Sequence, residues 1–199
     1  KFDKRKKIIK DDGINDKYKK NYLESFSHID HGKDCFIGFE VNLNNVELGD
    51  QVWINRNTTI FSNNKSNIIQ IGSGSYIGPY NWIEGSAGIQ IGECVHISGP
   101  GSSLYTHSGM KIALQGELCG NPSIPNRKSK NNYSKQIYIG NNVWIGPNCT
   151  IFPGTIINDY VVVLPNSLVK AQNIPSYTLV KNDGIIEYNS SFVKHLTKK

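Results

Sequence analysis

An aliphatic residue recurs at every sixth position in the second half of the chain, and this period restricts the possible folds more than any other feature. The anchors are Ile139, Ile145, Ile151, Ile157, Val163 and Val169. A period of six fits neither the 3.6-residue repeat of an α-helix nor a long alternating strand. It fits short strands separated by turns, and three such strands close a triangular coil of about 18 residues that stacks into a parallel β-helix. Earlier hexads, such as LGDQVW from Leu48 and IGECVH from Ile91, carry the pattern toward the N-terminus.

The composition favours the same all-β fold. The 199 residues include 26 Ile, 23 Asn and 19 Gly but only 3 Ala. Ile is a good strand former, Asn and Gly favour turns, and Ala is the best helix former. A helical bundle is therefore excluded.

Breaks in the repeat divide the chain into three parts. Residues 1–28 form a basic segment that is either a short helix or a solvated tail, and residues 29–175 form the β-helix domain. Pro175 ends the repeat, so residues 176–199 are expected to be a cap strand followed by a basic tail. The largest break lies within the domain at residues 105–136. A loop of that length in a compact domain is usually functional.

The net charge of +6 comes from the ends of the chain. Residues 1–20 carry nine basic and four acidic side chains, and residues 21–193 have a slight acidic excess. The domain therefore lacks the basic face of a nucleic-acid-binding protein. No apolar stretch approaches the length of a membrane span, and no signal peptide is recognisable, so we expect a cytoplasmic protein without a membrane span. The four cysteines, Cys35, Cys94, Cys119 and Cys149, show neither disulfide nor zinc-ribbon spacing.

Two segments resemble the hexapeptide-repeat acyltransferases, and in particular the sugar O-acetyltransferases of the maltose and galactoside type. They are IYIGNNVWIGPNCTIFPGTIIN from Ile137 to Asn158 and IGECVHISGPGSSLYTH from Ile91 to His107. The resemblance implies that the β-helix is left-handed and that the protein is a homotrimer. It also implies that acetyl-CoA binds as co-substrate between neighbouring subunits.

His107 is the candidate general base. Acetyl transfer to an alcohol needs a group that removes the hydroxyl proton, and a histidine with a pKa near 6.5 suits that task at neutral pH. His107 stands at the start of the long loop and matches the catalytic histidine of the family. Glu117, ten residues further along, is a second catalytic candidate that could accept a hydrogen bond from the imidazole or from the sugar. The alternative for Glu117 is a solvated carboxylate.

Four further residues are assigned to substrate binding through the resemblance. Asn81 and Glu84 match loosely an Asn and acidic pair that contacts the acceptor, although Asn81 also occupies an inward repeat position where it could bond to turns. Trp144 corresponds to a tryptophan beside the pantetheine arm, or else is an aromatic residue covering a corner. Lys170 lies where relatives bind the CoA phosphates, but could equally be a surface lysine.

Gly146 and Pro147 complete the predicted cofactor site. In relatives the residue after Trp-Ile-Gly is thought to offer its backbone N–H to the thioester oxygen, which Pro147 cannot do because proline has no N–H. The Gly146 N–H, the Asn148 side chain or a water would then have to stabilise the oxyanion. In the alternative interpretation Pro147 only fixes the backbone of a corner.

The function expected from these features is acetyl-CoA-dependent O-acetylation of a sugar hydroxyl, on a surface or capsular polysaccharide or its precursor. The main alternative is N-acetylation of an amino sugar nucleotide. A metal hydratase of the γ-carbonic anhydrase type would need three histidines converging on one zinc ion. His28 and His31 stand at the edge of the repeat, and His96 and His107 lack the close pairing of histidines in that family, so no metal is expected. A non-catalytic β-helix scaffold is the last alternative.

Overall fold

The structure of the protein is a computed structural model that describes residues 26–116, 133–182 and 186–197, together with the backbone of residues 8–10. Glu117 and Cys119 lie outside these residues. The described chain forms a parallel β-solenoid of about seven turns, which confirms the predicted fold class. Successive hexads lie on three successive faces, each of which is a sheet.

The first face is a nine-stranded sheet. Its strands are β1 (Ile8–Lys10), β3 (Cys35–Ile37), β6 (Trp53–Ile54), β9 (Tyr76–Ile77), β12 (His96–Ile97), β17 (Trp144–Ile145), β20 (Val162–Val163), β23 (Leu179–Val180) and β24 (Ile186–Glu187). All neighbours in it are parallel except β23 and β24. Residues 8–10 of the N-terminal segment are thus a strand that extends the solenoid, whereas a helix or a tail was expected there.

The second face has six strands and the third has seven. The six-stranded sheet contains β4 (Asn42–Asn44), β7 (Thr59–Phe61), β10 (Trp82–Glu84), β13 (Ser103–Tyr105), β18 (Thr150–Ile151) and β21 (Leu168–Val169). The seven-stranded sheet contains β2 (Asp30–His31), β5 (Val46–Leu48), β8 (Ile69–Ile71), β11 (Ile89–Ile91), β16 (Ile137–Ile139), β19 (Ile156–Ile157) and β22 (Asn173–Ile174). All neighbours in both sheets are parallel.

The core is the stack of hexad anchors. All six anchors from Ile139 to Val169 are fully buried, and the small residues that follow them, including Cys149 and Thr155, also point inward. Asn173, at the corresponding position after Val169, is instead exposed. Ile157 pairs with Ile174, one residue short of the usual coil, so the register shifts there.

Asparagine occupies several corners of the coils. Asn142, Asn148 and Asn166 adopt φ values of 55°, 57° and 61°, in the left-handed region that Asn tolerates better than most residues. The backbone N–H groups between coils are paired with carbonyls of the adjacent coil, as in the 2.8 Å bond from Gly146 N to Val163 O. The regular coils hold the segments that leave the solenoid at defined positions.

The main departure lies between the six-stranded and seven-stranded faces. After β13 the chain forms β14 (His107–Ser108) and helix α1 (Met110–Leu114), and it returns through β15 (Tyr133–Ser134) to β16. Strands β14 and β15 pair antiparallel, with His107 opposite Ser134. Helix α2 (Ser191–Leu196) closes the described C-terminal part. Neither of these short helices has the length and apolar character needed to cross a bilayer, and the described residues contain no other candidate span.

Candidate active site

His107 and Glu84 form a close pair at the start of the extruded loop. The His107 Nδ1 atom lies 2.8 Å from the Glu84 Oε2 atom. The imidazole is 42% exposed, whereas the carboxylate side chain is only 3% exposed. A buried acid therefore contacts one nitrogen of a histidine whose ring still reaches solvent.

Hydrogen bonds from the neighbouring backbone and side chains hold the Glu84 carboxylate in place. Its Oε1 atom accepts a 2.8 Å bond from the Ser86 backbone N–H. Its Oε2 atom accepts bonds from the Thr106 N–H at 3.2 Å and from the Thr106 hydroxyl at 3.0 Å. Burial raises the pKa of Glu84, but the bonds from Ser86 and His107 outweigh burial and leave that pKa below its ordinary value.

An ionised Glu84 determines which imidazole nitrogen can act as a base. The carboxylate only accepts hydrogen bonds, so a neutral His107 carries its proton on Nδ1. The Nε2 atom then has a free lone pair and can take a proton from a substrate. This is the arrangement of a histidine base oriented by a carboxylate.

Sequence reasoning did not anticipate this pair, because it assigned Glu84 to the acceptor and looked to Glu117 for the partner of His107. Both Glu84 oxygens are engaged within the protein. Glu117 lies outside the described residues. A signal was present in the coil register, because Glu84 pairs with Tyr105, only two residues before His107.

Asn81 makes the contacts of an inward turn residue. It is 2% exposed, and its amide donates to Gly78 O at 3.0 Å and to Ser98 O at 3.3 Å. Its side-chain oxygen accepts a 2.9 Å bond from the Ser102 N–H. These contacts agree with the alternative considered for this residue, while a role in acceptor binding stays a prediction.

The predicted cofactor residues lie on two different parts of the solenoid. Trp144, Gly146 and Pro147 follow one another on the nine-stranded face and at the corner after it, whereas Lys170 follows β21 of the six-stranded face and is exposed. A cavity of about 700 Å³ is lined by Trp144, His96, Tyr160 and residues of helix α2. Within one chain, Trp144 is thus on a different face from the corner that holds His107.

The two protein groups considered as oxyanion donors both have partners. The Gly146 N–H donates to Val163 O at 2.8 Å. The Asn148 amide donates to the Asn166 side-chain oxygen at 2.7 Å, but an asparagine amide has a second N–H. Gly146 also has a packing role, because a Cβ added to it would come within 2.6 Å of the Pro165 nitrogen.

In the part of the chain that the structure describes, no group of three or more His, Cys, Asp or Glu side chains is arranged to hold a metal ion. Of the cysteines, Cys35 and Cys149 are buried and Cys94 is exposed, and all three are free thiols.

Comparison with known proteins identifies the repeat. The family described as "Bacterial transferase hexapeptide (six repeats)" matches residues 136–171. The putative lipopolysaccharide biosynthesis O-acetyl transferase WbbJ of Escherichia coli K12 is 47% identical over 47 residues. That match covers 24% of this chain and spans only 24% of the length of the relative.

Solved structures share the fold. AntD, an N-acyltransferase from Bacillus cereus in complex with dTDP and 3-hydroxybutyryl-CoA, aligns with a TM-score of 0.64 and 20% identity over 92% of this chain and 98% of its own. A maltose O-acetyltransferase from Clostridium difficile 630 aligns with a TM-score of 0.51 and 20% identity, over 88% of this chain and 76% of that one. At these identities the likeness concerns the fold.

Proposed function

We propose that this chain, in which residues 136–171 match the bacterial transferase hexapeptide repeat, is an acyltransferase that transfers an acetyl group from acetyl-CoA to a hydroxyl of a sugar. The acceptor we propose is a surface or capsular polysaccharide or its precursor, and the reaction takes place in the cytoplasm. The observation that carries the proposal is the 2.8 Å contact between His107 and the buried Glu84. It supplies an oriented base at the start of the loop that departs from the solenoid.

His107 performs the proton transfers in this proposal. Its Nε2 atom takes the proton of the sugar hydroxyl while the hydroxyl oxygen attacks the thioester carbonyl carbon. The new C–O bond forms, the C–S bond breaks, and His107 returns the proton to the departing thiolate. Glu84 stabilises the imidazolium that exists between the two transfers.

The need for a base favours a hydroxyl over an amine as the acceptor. An alcohol is a weak nucleophile until its proton is removed, whereas a neutral amine already has an available lone pair. A histidine that a buried carboxylate holds in the base tautomer therefore suits O-acylation. N-acylation of an amino sugar remains an outcome that the product analysis below can identify.

Trp144 and Lys170 are the residues that we propose for binding acetyl-CoA. Trp144 lines the 700 Å³ cavity and would contact the pantetheine arm, and Lys170 would meet the phosphates as a point charge. Because Trp144 and His107 lie on different parts of one chain, we also propose a homotrimer in which one subunit supplies each. Light scattering should then give about three times the 22.2 kDa of the chain.

The test follows thiol release from acetyl-CoA across a panel of oligosaccharides, monosaccharides and nucleotide sugars. His107→Ala should lower kcat by about 10²- to 10⁴-fold, the usual contribution of a positioned base. His31→Ala, a change of the same type on β2 of the first coil, serves as the control and should retain activity. Activity of His107→Ala within tenfold of the wild type would remove His107 from the mechanism. Mild base should cleave the product ester, whereas a resistant product would be an amide.

A further inference from the structure

An exposed tryptophan lies on the strand that carries Glu84. Trp82 and Glu84 are two residues apart on β10, so their side chains share one side of the strand. Trp82 is 45% exposed, although Glu84 is buried. Phe61 of β7 pairs with Glu84 in the sheet register, and its ring meets the Trp82 ring edge to face at a centroid distance of 5.3 Å. The Trp82 ring is thus held in place next to the carboxylate that orients the base.

Trp82 and Phe61 form part of the wall of a cavity of about 490 Å³, which we call the Trp82 cavity. The other lining residues are His28, Asn42, Leu43, Asn44, Thr59 and Asn63. The three asparagines and Thr59 offer amide and hydroxyl groups that both donate and accept hydrogen bonds, and His28 adds an imidazole. Among the described residues that line it there is no Lys, Arg, Asp or Glu.

This combination matches the chemistry of a neutral sugar ring. The C–H faces of a pyranose pack against an aromatic ring, and its hydroxyls exchange hydrogen bonds with uncharged amides and alcohols. A nucleoside diphosphate would instead call for arginine or lysine at its phosphates. The lining of the Trp82 cavity therefore favours uncharged carbohydrate.

We propose that the Trp82 cavity binds the sugar ring adjacent to the one that is acylated, so that the acceptor is a glycan of at least two rings. The reaction at the neighbouring ring rests on the proposed function, but the binding of the glycan does not. Trp82 is then a residue that determines acceptor length. Phe61 in the wall of the cavity pairs with Glu84 in the sheet register, so the cavity adjoins the strand that carries the partner of His107.

Binding can be measured without catalysis. Isothermal titration would compare neutral di-, tri- and tetrasaccharides, the corresponding monosaccharides and nucleotide sugars on the full chain. Trp82→Ala should weaken oligosaccharide binding about tenfold through loss of the stacked face, and Trp82→Phe should recover part of the affinity. Trp53→Ala is the matched control, because Trp53 is 47% exposed and also meets an aromatic neighbour edge to face, but lies on the nine-stranded face.

Three results would overturn the proposal. They are equal oligosaccharide affinity in the wild type and Trp82→Ala, tighter binding of monosaccharides or nucleotide sugars than of oligosaccharides, and no saccharide binding at millimolar concentration. Failure of the proposed function looks different. In that case the wild type would bind an oligosaccharide through Trp82 but release no thiol from acetyl-CoA in its presence.

Discussion

Replacement of Glu84 by glutamine tests the role of the buried carboxylate with almost no change of volume. The carboxylate accepts four hydrogen bonds, from Ser86 N–H, Thr106 N–H, the Thr106 hydroxyl and His107. A glutamine has one oxygen and one NH₂ group. Because both carboxylate oxygens face hydrogen-bond donors, the NH₂ group of glutamine must point at one of those donors. If the NH₂ group faces His107, the imidazole must accept at Nδ1 and hold its proton on Nε2. That tautomer cannot act as the base.

The size of the effect follows from the interaction that is lost. A hydrogen bond to a charged group contributes about 1.5–3 kcal/mol, which corresponds to roughly 10- to 150-fold in rate. The tautomer change adds to this, and in a serine protease triad the equivalent Asp→Asn change costs about 10⁴ in kcat. His107 is 42% exposed, so water can exchange its protons and reduce the cost. We expect kcat to fall about 10²- to 10³-fold while the KM for acetyl-CoA changes less than threefold.

The assay is thiol release at saturating acceptor, with Glu93→Gln as the control. Glu93 is exposed at a corner of the next coil, so the same substitution there should leave kcat unchanged. Circular dichroism and light scattering would establish that both variants keep the fold and assembly of the wild type. A Glu84→Gln enzyme with kcat within threefold of the wild type would refute the orienting role.

Three further expectations concern pH, thiols and the corner proline. Because the folded protein lowers the pKa of Glu84 and unfolding restores it toward 4.5, this carboxylate stabilises the fold above that pH and loses its contribution as the pH falls through the folded pKa. Urea unfolding should therefore show a stability difference between wild type and Glu84→Gln that shrinks in acid. Iodoacetamide should label Cys94 in the native protein but Cys35 and Cys149 only after unfolding. Both of these thiols are buried, and burial raises their pKa. Rapid labelling of Cys35 or Cys149 in the native protein, measured by peptide mass spectrometry, would contradict the packing. Pro147→Ala should leave kcat unchanged or raise it, and a tenfold fall in a protein of unchanged assembly would mean that the rigid corner positions the site.

The repeat made the solenoid predictable, because every anchor occupies the same inward position at the end of a short strand. Ile145 and Ile151 are buried for the same reason, so one correct register predicts dozens of positions. Asn173 shows where this fails. A coil shortened by one residue between Ile157 and Ile174 moves Asn173 outward, and no local residue pattern marks the deletion.

The His107 and Glu84 pair was harder to predict because it depends on departures from the repeat. An outward position at the end of β10 would normally be solvated, but the turn through Ser86 and the start of the loop at Thr106 cover the carboxylate. The two residues are 23 positions apart, and neither follows the hexad rule. Aligning the coils brings Glu84 opposite Tyr105, but only the fold shows that the loop turns back over it.

The position of Trp144 on a different face from the His107 corner leads to a final test of assembly. If each site combines His107 of one subunit with Trp144 of the next, two inactive variants should complement each other. Mixing His107→Ala and Trp144→Ala chains during refolding would create, in a randomly assembled cyclic trimer, about one intact site for every four interfaces. Activity should then rise from near the background of either variant to about a quarter of the wild type. A mixture that stays at background, although tagged chains show that mixed trimers formed, would place both residues in the site of one chain and refute the shared site.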